Sequence, residues 1–368
     1  MLNPTEQFLF TLLRVALHPA CEEPIVVPQG VDWAELYRLA TEQGVLAIAW
    51  DGLELLVQRG VLPAEAQPKR MLKLQWAVNV QQIEARYGRQ REALEGLAGF
   101  YAEHDIRLML LKGYGLSLSY PHPEHRPCGD LDIWLYGEQQ RADQLMRAAG
   151  VPIDEDQHHH TVFTYRGVMV ENHYDFLNVH SHRSNRTIEA RLQALAAQGS
   201  EPVRVVEQTI HIPSADFNAL FLLRHAAAHF AAAEIGLRHL IDWAMFLHRD
   251  GERVDWTALM CLAEKVNMHR FLMASNYLVK TYLGIDLPAP LAAVTPNQEE
   301  AERVLREILT PAFREAAPRK NILKIWSFKW RRWWANRWKH RMVYREGLLQ
   351  TFFVQLWSHL LKPKSFTH

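Results

Sequence analysis

Both ends of the chain carry hydrophobic residues at intervals of three and four, the spacing that places apolar side chains on one face of a helix. Near the N-terminus this pattern predicts a helix over 8–16, another that begins at Trp33 with Asp32 as its N-cap, and a long one over 69–104. After Pro213 the same spacing predicts a bundle of helices with short connections, at 216–233, 237–249, 256–267 and 269–283.

The pattern between these helical parts is different, because short apolar runs alternate with turn residues. The pair Arg166-Gly167 separates two alternating segments, as in a β-hairpin. Strands are predicted at 106–111, 131–135, 161–165, 168–174 and 203–212, with a helix at 138–149. We therefore predict an α+β fold, in which a mixed sheet is flanked by N-terminal helices and a C-terminal helical bundle. The predicted parts are a helical segment (1–104), an α/β unit (105–213), a helical bundle (214–286), and a proline-rich linker followed by a basic, tryptophan-rich helical region (287–368).

Composition narrows the class of protein. The 41 Lys and Arg residues balance the 41 Asp and Glu residues, so the whole chain has no electrostatic preference for nucleic acid or anionic membranes. The three cysteines are far apart, which excludes a disulfide framework and a CxxC zinc motif. No basic segment precedes the first apolar residues, and no uncharged apolar run reaches the roughly 18–20 residues of a spanning helix. We therefore expect a cytoplasmic protein, with peripheral contact to a membrane left open.

Two carboxylates lie two residues apart in the predicted strand Gly129-Asp-Leu-Asp-Ile133. Successive side chains of a strand point to opposite faces, so Asp130 and Asp132 are expected to project on the same side. A divalent cation relieves their repulsion, and Mg²⁺ prefers oxygen ligands that it shares with substrate phosphates. Glu171, on the predicted strand 168–174, is the best candidate for a third carboxylate and would complete a clamp for two Mg²⁺ ions.

Phosphate-binding residues are predicted on either side of this strand. Lys112-Gly113 ends the strand at 106–111, where glycine lets backbone amides approach a phosphate and lysine neutralises its oxygens. Arg126 offers a guanidinium fork four residues before the first aspartate. Gly129, directly before the aspartate pair, is also predicted to bind the nucleotide.

The order of these elements resembles a known family. Leu111-Lys-Gly113 is followed by Tyr120, Arg126 and Gly129-Asp-Leu-Asp132, and this series is similar to the bacterial "uncharacterised nucleotidyltransferase" family of the polymerase-β-like superfamily. The flanking segments agree with that resemblance over about residues 5–285: they are Trp33-Ala-Glu-Leu36, Glu171-Asn-His173 and Leu237-Arg-His-Leu-Ile-Asp242.

The resemblance implies a polymerase-β-like mixed sheet and a nucleotidyltransferase that uses ATP or another NTP. It also implies that Asp130 and Asp132 bind the metals, that Glu171 is the third ligand, and that Lys112 and Gly113 contact the triphosphate. The chain departs from the superfamily pattern at two places. Tyr114 follows the turn glycine where many members have serine or glycine, and residue 171 is glutamate in place of aspartate.

Histidines near these motifs allow two interpretations. His173 shares the face of Glu171 and could touch substrate. The run His158-His-His160 suggests zinc, but no pairing of four ligands is clear, so rim histidines are favoured. On the predicted helices, His225 and His229 are expected to form a polar network. Arg238 and Asp242 either belong to it as an i,i+4 pair or line the substrate cleft.

The segment 319–345, named here the basic tryptophan-rich segment, has ten Lys and Arg residues, five tryptophans and no acidic residue. It could pack on the bundle, bind an acidic partner such as RNA, or lie on an anionic membrane surface. The predicted activity is Mg²⁺-dependent transfer of an NMP from an NTP to an acceptor that is a small molecule, a protein or tRNA. The alternative is a catalytically degenerate nucleotidyltransferase-fold protein that acts through a binding partner.

Overall fold

The computed structural model describes residues 2–20, 24–155, 159–232, 235–313 and 322–347. The N-terminal part is helical, as predicted, and its second helix is capped by Asp32, whose side chain accepts hydrogen bonds from the amides of Ala34 and Glu35. The third helix, from Leu46, was not predicted. The helices are α1 (Pro4–Leu17), α2 (Trp33–Glu42), α3 (Leu46–Gln58) and α4 (Arg70–Ala102).

The α/β unit contains a sheet with the strand order β3-β4-β2-β1-β6-β5. The strands β1 and β6 are parallel, as are β2 and β4, whereas β1 and β2 are antiparallel, so the sheet is mixed as predicted. The hairpin around Arg166-Gly167 is confirmed as the antiparallel pair β3 and β4. The strand bounds are β1 (Met109–Leu110), β2 (Leu131–Trp134), β3 (His160–Tyr165), β4 (Val168–His173), β5 (Ser200–Val205) and β6 (Gln208–Pro213).

The single strand predicted over 203–212 is wrong, because this segment belongs to the hairpin of β5 and β6. The turn between them contains Val206 and Glu207, and it lacks the glycine, proline or asparagine that usually marks a turn. Val206 takes the left-handed conformation, with φ of 51°, which a β-branched residue rarely adopts. No local signal in the sequence therefore marks this turn.

Of the remaining helices, some connect the strands of the sheet, and the others come after its last strand in the chain. Three of them connect the strands: α5 (Tyr114–Ser117), α6 (Gln139–Ala148) and α7 (Arg183–Gln198). The predicted bundle is confirmed by α8 (Ala215–Ala232), α9 (Leu237–Asp250), α10 (Trp256–Lys265) and α11 (His269–Leu283). The C-terminal part adds α12 (Ala289–Ala292), α13 (Gln298–Leu309) and α14 (Ile322–Val343). No helix in the described ranges is long and apolar enough to cross a membrane.

Two hydrophobic cores lie on opposite faces of the sheet. Leu131 and Ile133 of β2 face the smaller core, with the second half of α4 and α6. Trp134 faces the larger core, in which helices from before and after the sheet pack together. Because side chains alternate along a strand, Asp132 shares the face of Trp134 and points toward the helical bundle. The division of the chain at residues 104, 213 and 286 stays a prediction.

Candidate active site

The neighbouring parallel strands β2 and β4 bring carboxylates and an imidazole onto one face. In the register of β2 and β4, Asp132 is opposite Glu171 and Trp134 is opposite His173. The Nε2 atom of His173 lies 3.1 Å from Oδ1 of Asp132 and 3.5 Å from Oε2 of Glu171. The side chains of Asp132 and His173 are buried, whereas that of Glu171 is partly exposed. One edge of the cluster is thus open to a ligand.

The turn after β1 places a lysine against this pair. The amide of Leu111 donates to the carbonyl of Asp132, which continues the pairing of β1 with β2 past the last strand residue. The next side chain, Lys112, puts its Nζ 3.0 Å from Oδ1 of Asp132. Gly113 follows with φ of 61°, and an added Cβ would meet the backbone oxygen of Asp130 at 3.4 Å. The positive φ favours glycine at this turn, whereas the added Cβ would make only an ordinary contact.

Electrostatics at this cluster is dominated by the pairing of opposite charges. Burial by itself raises the pKa of Asp132, but Lys112 and His173 outweigh burial and hold that pKa well below its usual range. Burial likewise lowers the pKa of His173, but its hydrogen bonds to Asp132 and Glu171 raise it to about 9. The pKa of Asp130 is raised, first by burial and then by repulsion from Asp132. The charges of the cluster thus change the pKa of Asp130, although this residue lies just before β2.

One oxygen of Asp132 remains without a partner. Its Oδ2 is buried and accepts no hydrogen bond from any described residue. A buried unpaired polar atom of this kind costs about 1–3 kcal/mol. Ligand atoms of Asp132, Glu171 and His173 lie within 4.8 Å of one another, a spacing suited to one metal ion. Of the three predicted carboxylate ligands, the structure brings two into this group, with His173 as the third member in place of Asp130.

Arg126 is engaged elsewhere. Its Nε donates to Oδ1 of Asp242 at 2.7 Å, and its Nη2 donates to Oδ2 at 2.9 Å. The hydroxyl of Tyr120 donates to the same Oδ1 at 2.6 Å. The expected ion pair between Arg238 and Asp242 is wrong, because Asp242 pairs with Arg126 while Arg238 donates to the carbonyl of Pro127 at 3.3 Å. This buried pair links α9 to the segment before β2.

A cluster of three imidazoles adjoins the carboxylates. Ligand atoms of His159, His160 and His173 lie within 4.8 Å of one another. The register of the hairpin explains this, because an antiparallel pair turning at Arg166-Gly167 sets residue 160 opposite 173. The sequence prediction missed the cluster, although the hairpin turn and the histidine run together contain its signal. His158 lies outside the described residues.

A second histidine group lies on α8 and α9 of the helical bundle. The ring centroids of His225 and His229 on α8 are 4.5 Å apart, and that of His239 on α9 is 6.0 Å from the ring of His229. Burial and then the charge of Lys112 lower the pKa of both His225 and His229. A cavity of about 30 Å³, with room for a water molecule, is lined by His225, His239 and Asp242.

Helix α14 lies within the basic tryptophan-rich segment and packs partly on the bundle. The ring of Trp338 packs edge-on against Phe230, at 5.5 Å between centroids. Trp330 and Trp334 face away and are 53 % and 54 % exposed. The side chain of Trp326 lies outside the described part of the chain. The segment therefore contributes both a packed face and an exposed aromatic face.

Comparison with known protein families identifies the family of the chain. Residues 29–284 match the family described as "Uncharacterised nucleotidyltransferase", and the chain belongs to that family. The resemblance stated from the motifs is thereby confirmed. No curated protein and no solved structure matches the chain.

Proposed function

We propose that this protein transfers a nucleoside monophosphate from an NTP to an acceptor and releases pyrophosphate. The observation that carries the proposal is the buried, unpaired Oδ2 of Asp132, opposite Glu171 and next to Lys112. Membership of a nucleotidyltransferase family supports the same reaction class. The acceptor oxygen forms a bond to the α-phosphorus, the bridging α–β bond breaks, and pyrophosphate leaves with the electron pair while the acceptor proton passes to water.

The donor atoms suit a divalent metal such as Mg²⁺. Asp132 and Glu171 would hold it through hard oxygen ligands, and Asp130, at the start of the same segment, would join them when substrate binds. A second ion could be shared along this edge. Divalent ions bound there neutralise the carboxylates and stabilise the charge that develops on the phosphoryl oxygens.

Residues of the two turns would hold the triphosphate. Lys112, whose ammonium is paired with Asp132, is in a position to share its charge with the phosphate oxygens. Gly113 and Gly129 would let the backbone approach those oxygens. Arg126 is committed to Asp242, so we assign it the role of fixing the aspartate segment.

The acceptor would enter from the side of the bundle. His173 at the cluster and Arg238 on α9 belong to the predicted cleft. Asp242, the third residue of that prediction, is paired with Arg126 and Tyr120 and would act as support. The predicted acceptors stay a small molecule, a protein and tRNA. Contact of the exposed Trp330 and Trp334 with an acidic partner or a membrane surface stays a prediction, as does a cytoplasmic location.

Binding of the four NTPs with Mg²⁺, followed by thermal unfolding, tests the proposal. A ligand at about 100-fold its Kd stabilises the native state by about 2.7 kcal/mol. We expect a Mg²⁺-dependent rise of the melting temperature that Asp132→Asn abolishes. The matched control is Asp143→Asn, because Asp143 is also buried but is paired with Asn172 and Thr161. No rise with any NTP would contradict the proposal. A rise that is equal in Asp132→Asn would favour the degenerate binding protein.

A further inference from the structure

We propose a second cation site beside the carboxylate pair, in which His159, His160 and His173 hold a transition-metal ion of the zinc class. This site is distinct from the oxygen site of Asp132 and Glu171 because its ligands are nitrogen atoms. It does not depend on nucleotidyl transfer, since the imidazoles would bind the ion in the absence of nucleotide.

The three imidazole rings lie close enough together to bind one metal ion. Their centroids are separated by 4.4 Å for His159 and His160, by 5.1 Å for His160 and His173, and by 5.5 Å for His159 and His173. Zinc–nitrogen bonds of about 2.1 Å in a tetrahedral site place the ligand atoms roughly 3.4 Å apart. The ligand atoms here lie within 4.8 Å of one another, and binding of the ion would draw them to that spacing.

A buried nitrogen without a partner supplies independent evidence. His160 is only 9 % exposed, and its Nδ1 has no hydrogen-bond partner among the described residues. Its Nε2 lies 3.8 Å from Oε1 of Glu171. Burying an unsatisfied imidazole nitrogen is unfavourable, whereas coordination of a cation would satisfy it.

The donor set and its charges decide the class of ion. Imidazole nitrogen suits Zn²⁺, Co²⁺ and related ions, whereas Mg²⁺ prefers oxygen and keeps its waters. The three imidazoles leave the fourth position of a tetrahedral ion to a water molecule. Asp130, Asp132 and Glu171 outnumber Lys112, which makes the surroundings favourable for a cation.

Such an ion would fix the end of the hairpin. It would join the residues that precede and begin β3 to the last residue of β4, and it would hold His173 and Glu171 next to Asp132. The order of ligands along β4 thus couples the nitrogen site to the oxygen site through His173, which belongs to both groups.

Titration of the metal-free full-length chain with Co²⁺, after removal of any purification tag, tests the proposal. We expect one Co²⁺ per chain with visible ligand-field absorption of four-coordinate geometry, displaced by Zn²⁺ and unaffected by excess Mg²⁺. His160→Asn should weaken Co²⁺ and Zn²⁺ binding at least tenfold, and His159→Asn should do the same. The matched control is His122→Asn, which changes an exposed histidine and should leave the affinity unchanged.

The outcomes separate this proposal from the nucleotidyltransferase proposal. Asp132→Asn should keep the Co²⁺ spectrum, and His160→Asn should keep a Mg²⁺-dependent response to NTP. Co²⁺ affinity that is the same in wild type, His159→Asn and His160→Asn would overturn the nitrogen site, as would displacement of Co²⁺ by Mg²⁺. If a variant fails to fold, as judged by circular dichroism, His160→Gln replaces it in the same titration.

Discussion

Two buried charged clusters in this protein differ in how completely their polar atoms are paired. Asp132 at the sheet and Asp242 on α9 are 1 % and 8 % exposed. Both oxygens of Asp242 accept hydrogen bonds, from Arg126 and Tyr120. Asp132 is paired through Oδ1 alone, with Lys112 and His173 on the same atom, and its Oδ2 has no partner within the described ranges.

The difference in pairing distinguishes a carboxylate that supports the fold from one that can bind a ligand. A buried ion pair with all its hydrogen bonds formed holds two elements together, here α9 and the segment before β2, and leaves nothing to bind a ligand. A buried carboxylate oxygen without a partner costs free energy in the folded protein, and a substrate-borne or bound cation offsets that cost. We therefore propose that Asp132 binds the metal and that Asp242 supports the fold.

The largest effect is expected for Asp132→Asn. The change removes the charge that faces the proposed metal, so the rate of pyrophosphate release should fall at least a thousandfold, which corresponds to about 4 kcal/mol of activation free energy. The free energy of unfolding in urea should fall by less than in Asp242→Asn, because Oδ2 of Asp132 has no hydrogen bond to lose and Lys112 keeps the attraction of Asp130 and Glu171. A rate within tenfold of the wild type would contradict the assignment.

Asp242→Asn should show the opposite balance. The change leaves the buried guanidinium of Arg126 without its carboxylate, and breaking a buried pair in this way costs about 3 kcal/mol of unfolding free energy. Chemical denaturation measures this loss. NTP affinity at a temperature where the variant is folded should stay within a few-fold. A stability equal to that of the wild type would mean that this pair does not support the fold.

Acid should loosen a third buried cluster, in which imidazoles are uncharged. His182 stacks on Tyr344 with ring centroids 3.6 Å apart, and His340 lies beside both rings. Burial, followed by the charge of Arg224, lowers the pKa of His182 to about 3, whereas burial lowers that of His340 to about 4 although Glu346 opposes the shift.

Both groups bind protons more readily in the unfolded chain, so they favour folding fully above pH 6.5, the ordinary pKa of histidine, and less as the pH falls toward 4. We expect a loss on the order of 2 kcal/mol between pH 7 and 4.5, measured by urea unfolding. His182→Gln should reduce that loss. An unchanged pH dependence in this variant would contradict the account.

The smallest effect is expected for Tyr120→Phe. The change removes one hydrogen bond to Asp242 and leaves both bonds from Arg126, so the cost should be about 1 kcal/mol. Thermal unfolding of Tyr120→Phe, compared with that of Asp242→Asn, measures how much of the stability of this junction comes from the Tyr120 hydroxyl. A loss as large as that of Asp242→Asn would show that Tyr120, and not the ion pair, holds this junction.

Local patterns in the sequence predicted the parts of the site that lie on single strands. The alternation along Leu131–Trp134 and the hairpin turn at Arg166-Gly167 predicted β2, β3 and β4, which set Asp132 opposite Glu171. The lysine–glycine turn was likewise visible as the end of an apolar run. These features depend on neighbours within a few residues, which is why periodicity and turn chemistry are sufficient.

Other features depend on contacts that no local pattern contains. Arg126 and Asp242 are separated by 116 residues, so the sequence suggested a nearer partner, Arg238, for the aspartate. Asp130 lies just before β2, and strand alternation alone could not show that His173 would stand closer to Asp132. The unpaired state of Oδ2 is a property of packing, because it depends on every side chain that surrounds Asp132.

The most direct test of the central claim is to follow two radioactive labels, one on the α-phosphate and one on the γ-phosphate of the same NTP, in the presence of Mg²⁺ and a bacterial extract as the source of acceptors. We predict that the α label moves into acceptor while the γ label appears in pyrophosphate, and that Asp132→Asn stops both. Transfer of the γ label to acceptor would contradict nucleotidyl transfer, and so would the absence of any movement of label by a wild-type protein that binds the NTP.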